Sequence, residues 1–273
     1  MKSMSFEESK KVELDILESV ASFCEENGIR YFLAYGTLIG ALRHKGFIPW
    51  DDDIDIQMPR EDYNRLISSF NEKKHNPNLC LVPPHDPKSR HPIVKIIDVR
   101  TVKIEEGVDY SAGSLGVDID IFPIDGQPDN EVDYQQWYKK LRRLYAFYTY
   151  SIMSSRGGSL KKRLLFSLIK MCMSRRYVKK RADSLHKKYP YESSKYLGTI
   201  ESAFNSIGNR VERECFSDFV LVEFEGKQFR APIGYDAILT KIYGDYMQLP
   251  PEEKRVSHHS ANTYWKENES EKV

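Results

Sequence analysis

Cysteine is scarce and scattered in this sequence. Cys24, Cys80, Cys172 and Cys215 stand far apart and form no CxxC pair, which argues against a zinc site or a disulfide framework and for a reducing cytoplasm. Long apolar runs are also missing. No stretch reaches the ~18 consecutive apolar residues that a membrane span requires, and the polar run Met1 to Lys11 leads into no apolar core of a signal peptide. There is no internal repeat and no low-complexity tract. The formal net charge of +1 over 273 residues gives no reason to expect nucleic acid as a partner. What is present, 40% hydrophobic and 12% aromatic residues, fits a globular chain of one large domain or two small ones.

The small net charge hides an asymmetry. Trp137 to Lys188 holds sixteen Lys/Arg and a single acid, Asp183, in a chain with 41 basic and 40 acidic residues overall. The remainder is correspondingly acidic. The basic stretch is helical in pattern with a break at Gly157-Gly158. Its apolar run from Leu160 to Met173 lies between Lys161-Lys162-Arg163 and Arg175-Arg176, a composition suited to an anionic membrane interface. A helix pair with a charged outer face is the plainer alternative.

Coarse periodicity orders the rest. Residues 5–27 form a predicted helix, with Ser5 and Glu8 at capping-box spacing and Asn27-Gly28 as its stop. Ile29 to Tyr35 reads as a strand and Gly36-Thr37 as a turn, with a helix from Leu38 to His44. Asp53 to Gln57 reads as a second strand and Arg60 to Asn71 as a helix. Residues 75–92 are loop-rich. Ile93 to Val99 and Val102 to Glu105 are expected to pair with each other. Val117 to Phe122 alternates strictly and is expected to end at Pro123. A hairpin is expected around Glu225-Gly226-Lys227, then a short helix within Pro232 to Tyr246.

The chemistry concentrates in GTLIGALRHKGFIPWDDDIDIQMPR, Gly36 to Arg60. Asp53 and Asp55 flank Ile54, so on a strand they share one face while Ile54 and Ile56 turn into a core. Carboxylates that close do not stay ionised comfortably without a cation, and a hard divalent ion with oxygen ligands suits them. An EF-hand would also begin Asp51, Asp53, Asp55, but it needs glycine where Ile56 stands and glutamate where Asp62 stands. A third acid is expected from VDIDIF, where alternation permits either Asp118 or Asp120. Asp125 reads as a turn cap. The glycine turn and the cations Arg43 and Lys45 suggest phosphate handling. Lys95 is a further candidate, with an exposed strand charge as the ordinary alternative.

These residues resemble the LicD family, within the polymerase-beta-like nucleotidyltransferase superfamily. The likeness rests on Gly36-Thr37, Asp53-Ile54-Asp55, the IDIFPID run, and the late YGDYMQLPPEEKR with Asp245, His258 and His259. It covers roughly residues 10–125 and 225–260. It selects Asp120 over Asp118 as the third acid. The fold it implies is α/β: a nucleotidyltransferase-like small mixed sheet backed by helices, with a helical basic insertion or second subdomain. The expected organisation is a catalytic core at 1–130, a basic helical segment at 131–195, and a part at 196–273 completing the core and cleft.

The resemblance implies phosphocholine transfer from CDP-choline to a hydroxyl of a cell-surface glycan or its lipid-linked precursor, of teichoic acid, capsule or lipopolysaccharide type. Related cargoes are ribitol, glycerol or ethanolamine phosphate, or a nucleotidyl group. A membrane-associated scaffold with an inactive site is the non-enzymatic alternative. The cofactor expected is Mg2+, with Mn2+ as substitute, held by Asp53, Asp55 and Asp120 with help from Asp51. Gly36, Thr37, Arg43, Lys45 and Lys95 are the expected substrate-binding residues. Tyr31, Tyr35, Trp50, Tyr110, Tyr243 and Tyr246 are available to a choline headgroup. His258 is expected to be structural. The location expected is cytoplasmic, peripheral at the inner face of the cell membrane.

Overall fold

Ser5 starts the first helix in the way its spacing predicts. Its side chain accepts the N–H of Glu8, and the Glu8 carboxylate accepts the N–H of Ser5 at 2.7 Å. In this computed structural model, which describes residues 1–84, 86, 88–89, 92–105, 114–152, 174–200, 210–256 and 261–267, that helix is α1 (Phe6–Glu26). One face of α1 buries Ile16, Leu17, Val20 and Phe23, each worth about 1.5–3 kcal/mol. Phe23 meets Phe70 edge-on at 5.0 Å. The apolar run Leu160 to Met173, Gly157-Gly158, Tyr110, His258 and His259 lie outside the described residues.

The main sheet is mixed and mostly antiparallel. It runs β2 (Phe32–Leu33), β3 (Asp55–Pro59), β7 (Asp118–Gln127), β5 (Val94–Asp98), β4 (Leu79–Val82), with β8 (Tyr196–Gly198) continuing on β7 and β9 (Val211–Glu212) on β8. Among the described residues, only β3 and β7 pair in parallel. Helices α1, α2 (Tyr35–Arg43) and α3 (Arg60–Lys73) pack on it, and Ile54, Ile56, Ile119 and Ile121 join their core. The hairpin of β10 (Phe219–Phe224) and β11 (Lys227–Pro232) turns through Glu225 (φ 51) and Gly226 (φ 73), the two positive φ values a tight two-residue turn needs. Phe224, Phe229 and Leu239, the last from α6 (Tyr235–Tyr243), enter the same core.

The basic stretch supplies α4 (Glu131–Ile152) and α5 (Arg175–His186). They pack together around Trp137, Leu141, Tyr145 and Ala182. Lys139, Lys140, Arg142, Arg143, Lys180 and Arg181 are exposed on their outer surface.

Several strand expectations are corrected. β5 and β6 (Thr101–Glu105) are neighbours in sequence but not partners. β6 pairs with β12 (Ala261–Trp265), which also pairs with β1 (Lys2–Ser3), forming a separate three-stranded sheet. The proline-rich stretch 75–92 contains β4. Strand β7 continues through Pro123 to Gln127. The Asp120 N–H points to Ile54 of the β3 side, so by alternation the Pro123 nitrogen points the other way. There it faces the interval between the last β5 pair, Val94↔Ile121, and the first β8 pair, Asp125↔Gly198. The missing N–H therefore breaks no ladder bond.

Candidate functional site

Asp55 is the first residue of β3, and its Cα partner in the parallel register is Asp120 on β7. The antiparallel partner of Asp120 on the other side is Lys95 of β5. Asp55, Asp120 and Lys95 thus stand in a row across three strands, on one pleat face, with neighbouring strands about 4.8 Å apart. Asp53 precedes the strand rather than lying in it, so the pair is held by the loop-to-strand entry and not by strand alternation alone.

Both backbone groups of Asp55 are gripped by the start of α2. Its N–H donates to Thr37 Oγ1 at 2.8 Å, and its carbonyl accepts from Ala34 N at 3.0 Å. Thr37 is buried. Gly36 and Thr37 form the first turn of α2 instead of a turn before it. Tyr35 opens the helix at φ 45, a conformation costing a non-glycine residue about 1–3 kcal/mol. Gly36 and Gly40, four apart, share the helix face onto which residues 46–51 fold back. A Cβ at Gly36 would strike the Asp51 carboxylate, and one at Gly40 would strike the Gly46 carbonyl oxygen. These glycines let the loop carrying Asp51 pack against the helix.

The electrostatics separate the acids. Lys95 Nζ bonds Asp118 and, at 2.5 Å, Asp120 Oδ1, while Lys103 Nζ lies 3.1 Å from Asp118 Oδ1. Burial alone would raise the Asp118 carboxyl. Lys103 and Lys95 outweigh it and hold Asp118 well below the usual carboxylate range. Asp118 is 3% exposed and Asp120 22%, so Asp120 is the more accessible of the two. Lys95 is not an exposed strand charge. Burial works against its ammonium, but Asp118 and Asp120 raise it well above its ordinary value. Asp55 is in the opposite condition. Burial, then Asp53, Asp120 and Asp51, push its carboxyl well above the usual range, against the opposing charge of Lys95.

A crowded set of like-charged oxygen donors has the chemistry a hard divalent cation needs. The cage is not preformed: among the described residues no three His, Cys, Asp or Glu side chains converge on one point. The donors present fit Mg2+ or Mn2+ by type and charge.

Arg43 and Lys45 fall at the far end of α2. That helix spans nine residues, about 12 Å at 1.5 Å per residue. Arg43 Nη1 donates to the carbonyls of Tyr246 at 2.6 Å and Gln248 at 3.2 Å. Lys45 is exposed, with φ 62, and its carbonyl accepts the Glu225 N–H. Neither forms an ion pair with the acid row among the described residues.

Of the aromatic candidates, Tyr31 is 1% exposed in the core and Tyr246 donates its hydroxyl to Asp236 at 2.8 Å. Tyr35 meets Phe122 edge-on, and Trp50 lies against His44. Tyr243 differs. The residue as a whole is 46% exposed, but burial around its hydroxyl, and then the charges of Asp55, Asp51 and Asp53, push that group well up. Sequence reasoning passed over Lys103 and Glu13. Glu13 is 1% exposed, its Oε2 has no hydrogen-bond partner, and burial pushes it well up. A glutamate beside Val12 on the apolar face of α1 was the available signal.

A sequence profile described as "LicD/FKTN/FKRP, nucleotidyltransferase domain" matches residues 28–149, which include Gly36-Thr37 and every acid of the row. The lipopolysaccharide cholinephosphotransferase LicD of Haemophilus influenzae is 34% identical over 97% of this chain and 99% of its own length. The chain belongs to the LicD family. Human ribitol 5-phosphate transferase FKRP is 46% identical over 43 residues, 16% of this chain and 9% of its own. Mannosyltransferase regulator 4 of Saccharomyces cerevisiae is 30% identical over 38% of this chain and 8% of its own. The full-length LicD likeness runs through the basic segment as well, beyond the 10–125 and 225–260 stretches in which motifs are legible. No helix among the described residues is long and apolar enough to cross a membrane.

Proposed function

We propose that this protein transfers phosphocholine from CDP-choline to a hydroxyl of a cell-surface glycan. The observation carrying this reading is the near full-length likeness to a lipopolysaccharide cholinephosphotransferase. The acid row supports it. The acceptor hydroxyl attacks the distal phosphorus of the diphosphate, its proton is taken up, and CMP leaves. Asp53 and Asp55, helped by Asp51, would hold Mg2+, which would neutralise charge on the diphosphate. Asp120, with Oδ1 on Lys95, would offer its other oxygen to the metal or to the acceptor proton. Lys95 would stabilise charge at the transferred phosphoryl group. The amides at the start of α2 would face phosphate oxygens, while Arg43 and Lys45 would meet the outer part of the donor.

A second reading keeps the site and changes the cargo to ribitol phosphate, favoured by the local likeness to a ribitol 5-phosphate transferase. Incubation with Mg2+ and CDP-choline, CDP-ribitol or CDP-glycerol, with CMP release measured, separates the two. No CMP from any donor would reject both. The exposed cations of α4 and α5 support a peripheral position on an anionic membrane at its cytoplasmic face. Flotation with anionic liposomes tests this, and absence of salt-sensitive binding would sink it.

A further inference from the structure

Asp125, expected to cap a turn, instead lies 4% exposed at the floor of a second cleft. Arg60 grips it with two donors, Nε at 2.7 Å and Nη2 at 2.5 Å, and His186 Nδ1 lies 2.9 Å from its Oδ2. Tyr145 Oη lies 3.1 Å from His186 Nε2 on the far side of the ring. Arg60 and His186 hold the Asp125 carboxyl well below its usual range against burial. The carboxylate is thus held by the two Arg60 donors, while His186 Nδ1 lies close to it without hydrogen-bond geometry.

The cleft is about 400 Å³ and lies between α3 and α5, within the size range of small-molecule sites. It opens where the parallel pairing of β3 with β7 stops, since Pro59 pairs with Ile124 and Arg60 then starts α3. The cleft is separate from the acid row. Asp125 is five residues beyond Asp120 on β7, about 16 Å at 3.3 Å per residue, and alternation puts it on the other pleat face.

Its lining says what fits. Tyr189, part-exposed, supplies an aromatic wall, with Ile67, Pro84 and Pro190 as apolar neighbours, while Tyr63 and Tyr191 lie buried behind the lining with Arg60 and Arg30 over their rings. Charges on the lining are balanced and largely tied within the protein: Arg60 to Asp125, and Lys179 to Asp183 at 2.7 Å. Glu61 and Lys187, of opposite sign, complete the charged rim, with Asn64 beside them. The first turn of α3 carries Glu61 and Asp62, which oppose an anion at that helix start. A diphosphate is therefore disfavoured. A neutral ligand with apolar faces and many hydroxyls is favoured, and that describes sugar rings.

We propose that this cleft binds sugar units of the acceptor glycan distal to the hydroxyl that is modified. The proposal rests on the transferase reading above. The test uses the full chain and, as probe, the oligosaccharide of lipopolysaccharide freed of its lipid. Binding is measured by calorimetry for wild type, Asn64→Trp, which would fill the cleft from its rim, and Tyr189→Ala. Kd is expected to weaken at least tenfold in both variants, with KM for the oligosaccharide rising in step and KM for CDP-choline unchanged. No binding by wild type, or equal Kd in all three proteins with unchanged melting temperatures, overturns the proposal. Cleft-dependent binding without transfer from CDP-choline would instead remove the donor assignment and leave the cleft site standing.

Discussion

The hydroxyl oxygen of Thr37 accepts the backbone N–H of Asp55 at 2.8 Å. One buried side chain at the start of α2 thereby fixes the position of the first acid on β3. Replacing Thr37 with Val keeps the shape and leaves that N–H without its acceptor, at a cost of about 1–3 kcal/mol. CMP release should fall along with stability, and Thr37→Ser should restore most of both. Denaturant titration and a CMP assay on the two variants check this. Wild-type behaviour of Thr37→Val would show that the bond positions nothing.

Asp53→Asn or Asp55→Asn should abolish CMP release while preserving the fold. The pH dependence of stability should change as well. The Asp55 carboxyl is raised in the folded protein, so its contribution favours folding at low pH and is lost as pH rises through its folded value. Without metal, melting temperature should drop over that rise, and Mg2+ should recover it increasingly toward alkaline pH. Asp55→Asn should flatten both effects. A thermal-shift series in EDTA and in Mg2+ reads this directly, and an unchanged Mg2+ response in Asp55→Asn would reject the assigned metal position.

Asp118 and Asp120 should respond differently to the same change. Asp118→Asn leaves Lys95 and Lys103 buried against a neutral group and should cost about 3–5 kcal/mol. Asp120→Asn, at a more open position, should cost less in stability and more in turnover. Since the Asp118 carboxyl is depressed in the folded state, its stabilisation is present above the ordinary carboxylate pKa, about 3.9, and fades as pH falls below it. Acid titrations of wild type and Asp118→Asn should converge at low pH.

Lys45 occupies a left-handed backbone conformation that glycine adopts without penalty. Lys45→Gly should hold or raise the melting temperature. If the ammonium meets the donor, KM for CDP-choline should rise several-fold. An unchanged KM would remove Lys45 from the donor site.

Local signals in the sequence were reliable where a local rule decided the outcome. The capping box at Ser5 and Glu8, the hairpin at Glu225-Gly226, and the shared face of Asp118 and Asp120 all follow from spacing alone. What eluded it was set by partners distant in the chain. Strand β7 passes through Pro123 because of a gap between two other strands. Lys95 is buried because two aspartates on β7 surround its ammonium, and a lysine in a short strand gives no sign of that. Adjacent β5 and β6 looked like partners because β12, which separates β6 into another sheet, lies some 160 residues downstream. The attachment of Arg43 to the Tyr246 and Gln248 carbonyls is likewise a tertiary contact that its place in the sequence does not announce.

Strand β12 sits between β1 and β6, and both of its partners come from far earlier in the chain. Thr263 of β12 is the ladder partner of Lys103, whose ammonium neutralises Asp118 from the second sheet. Closing the β12 ladder therefore also anchors the strand that carries a counter-charge of the acid row. The rim of one sheet thus sets the charge balance in the middle of another.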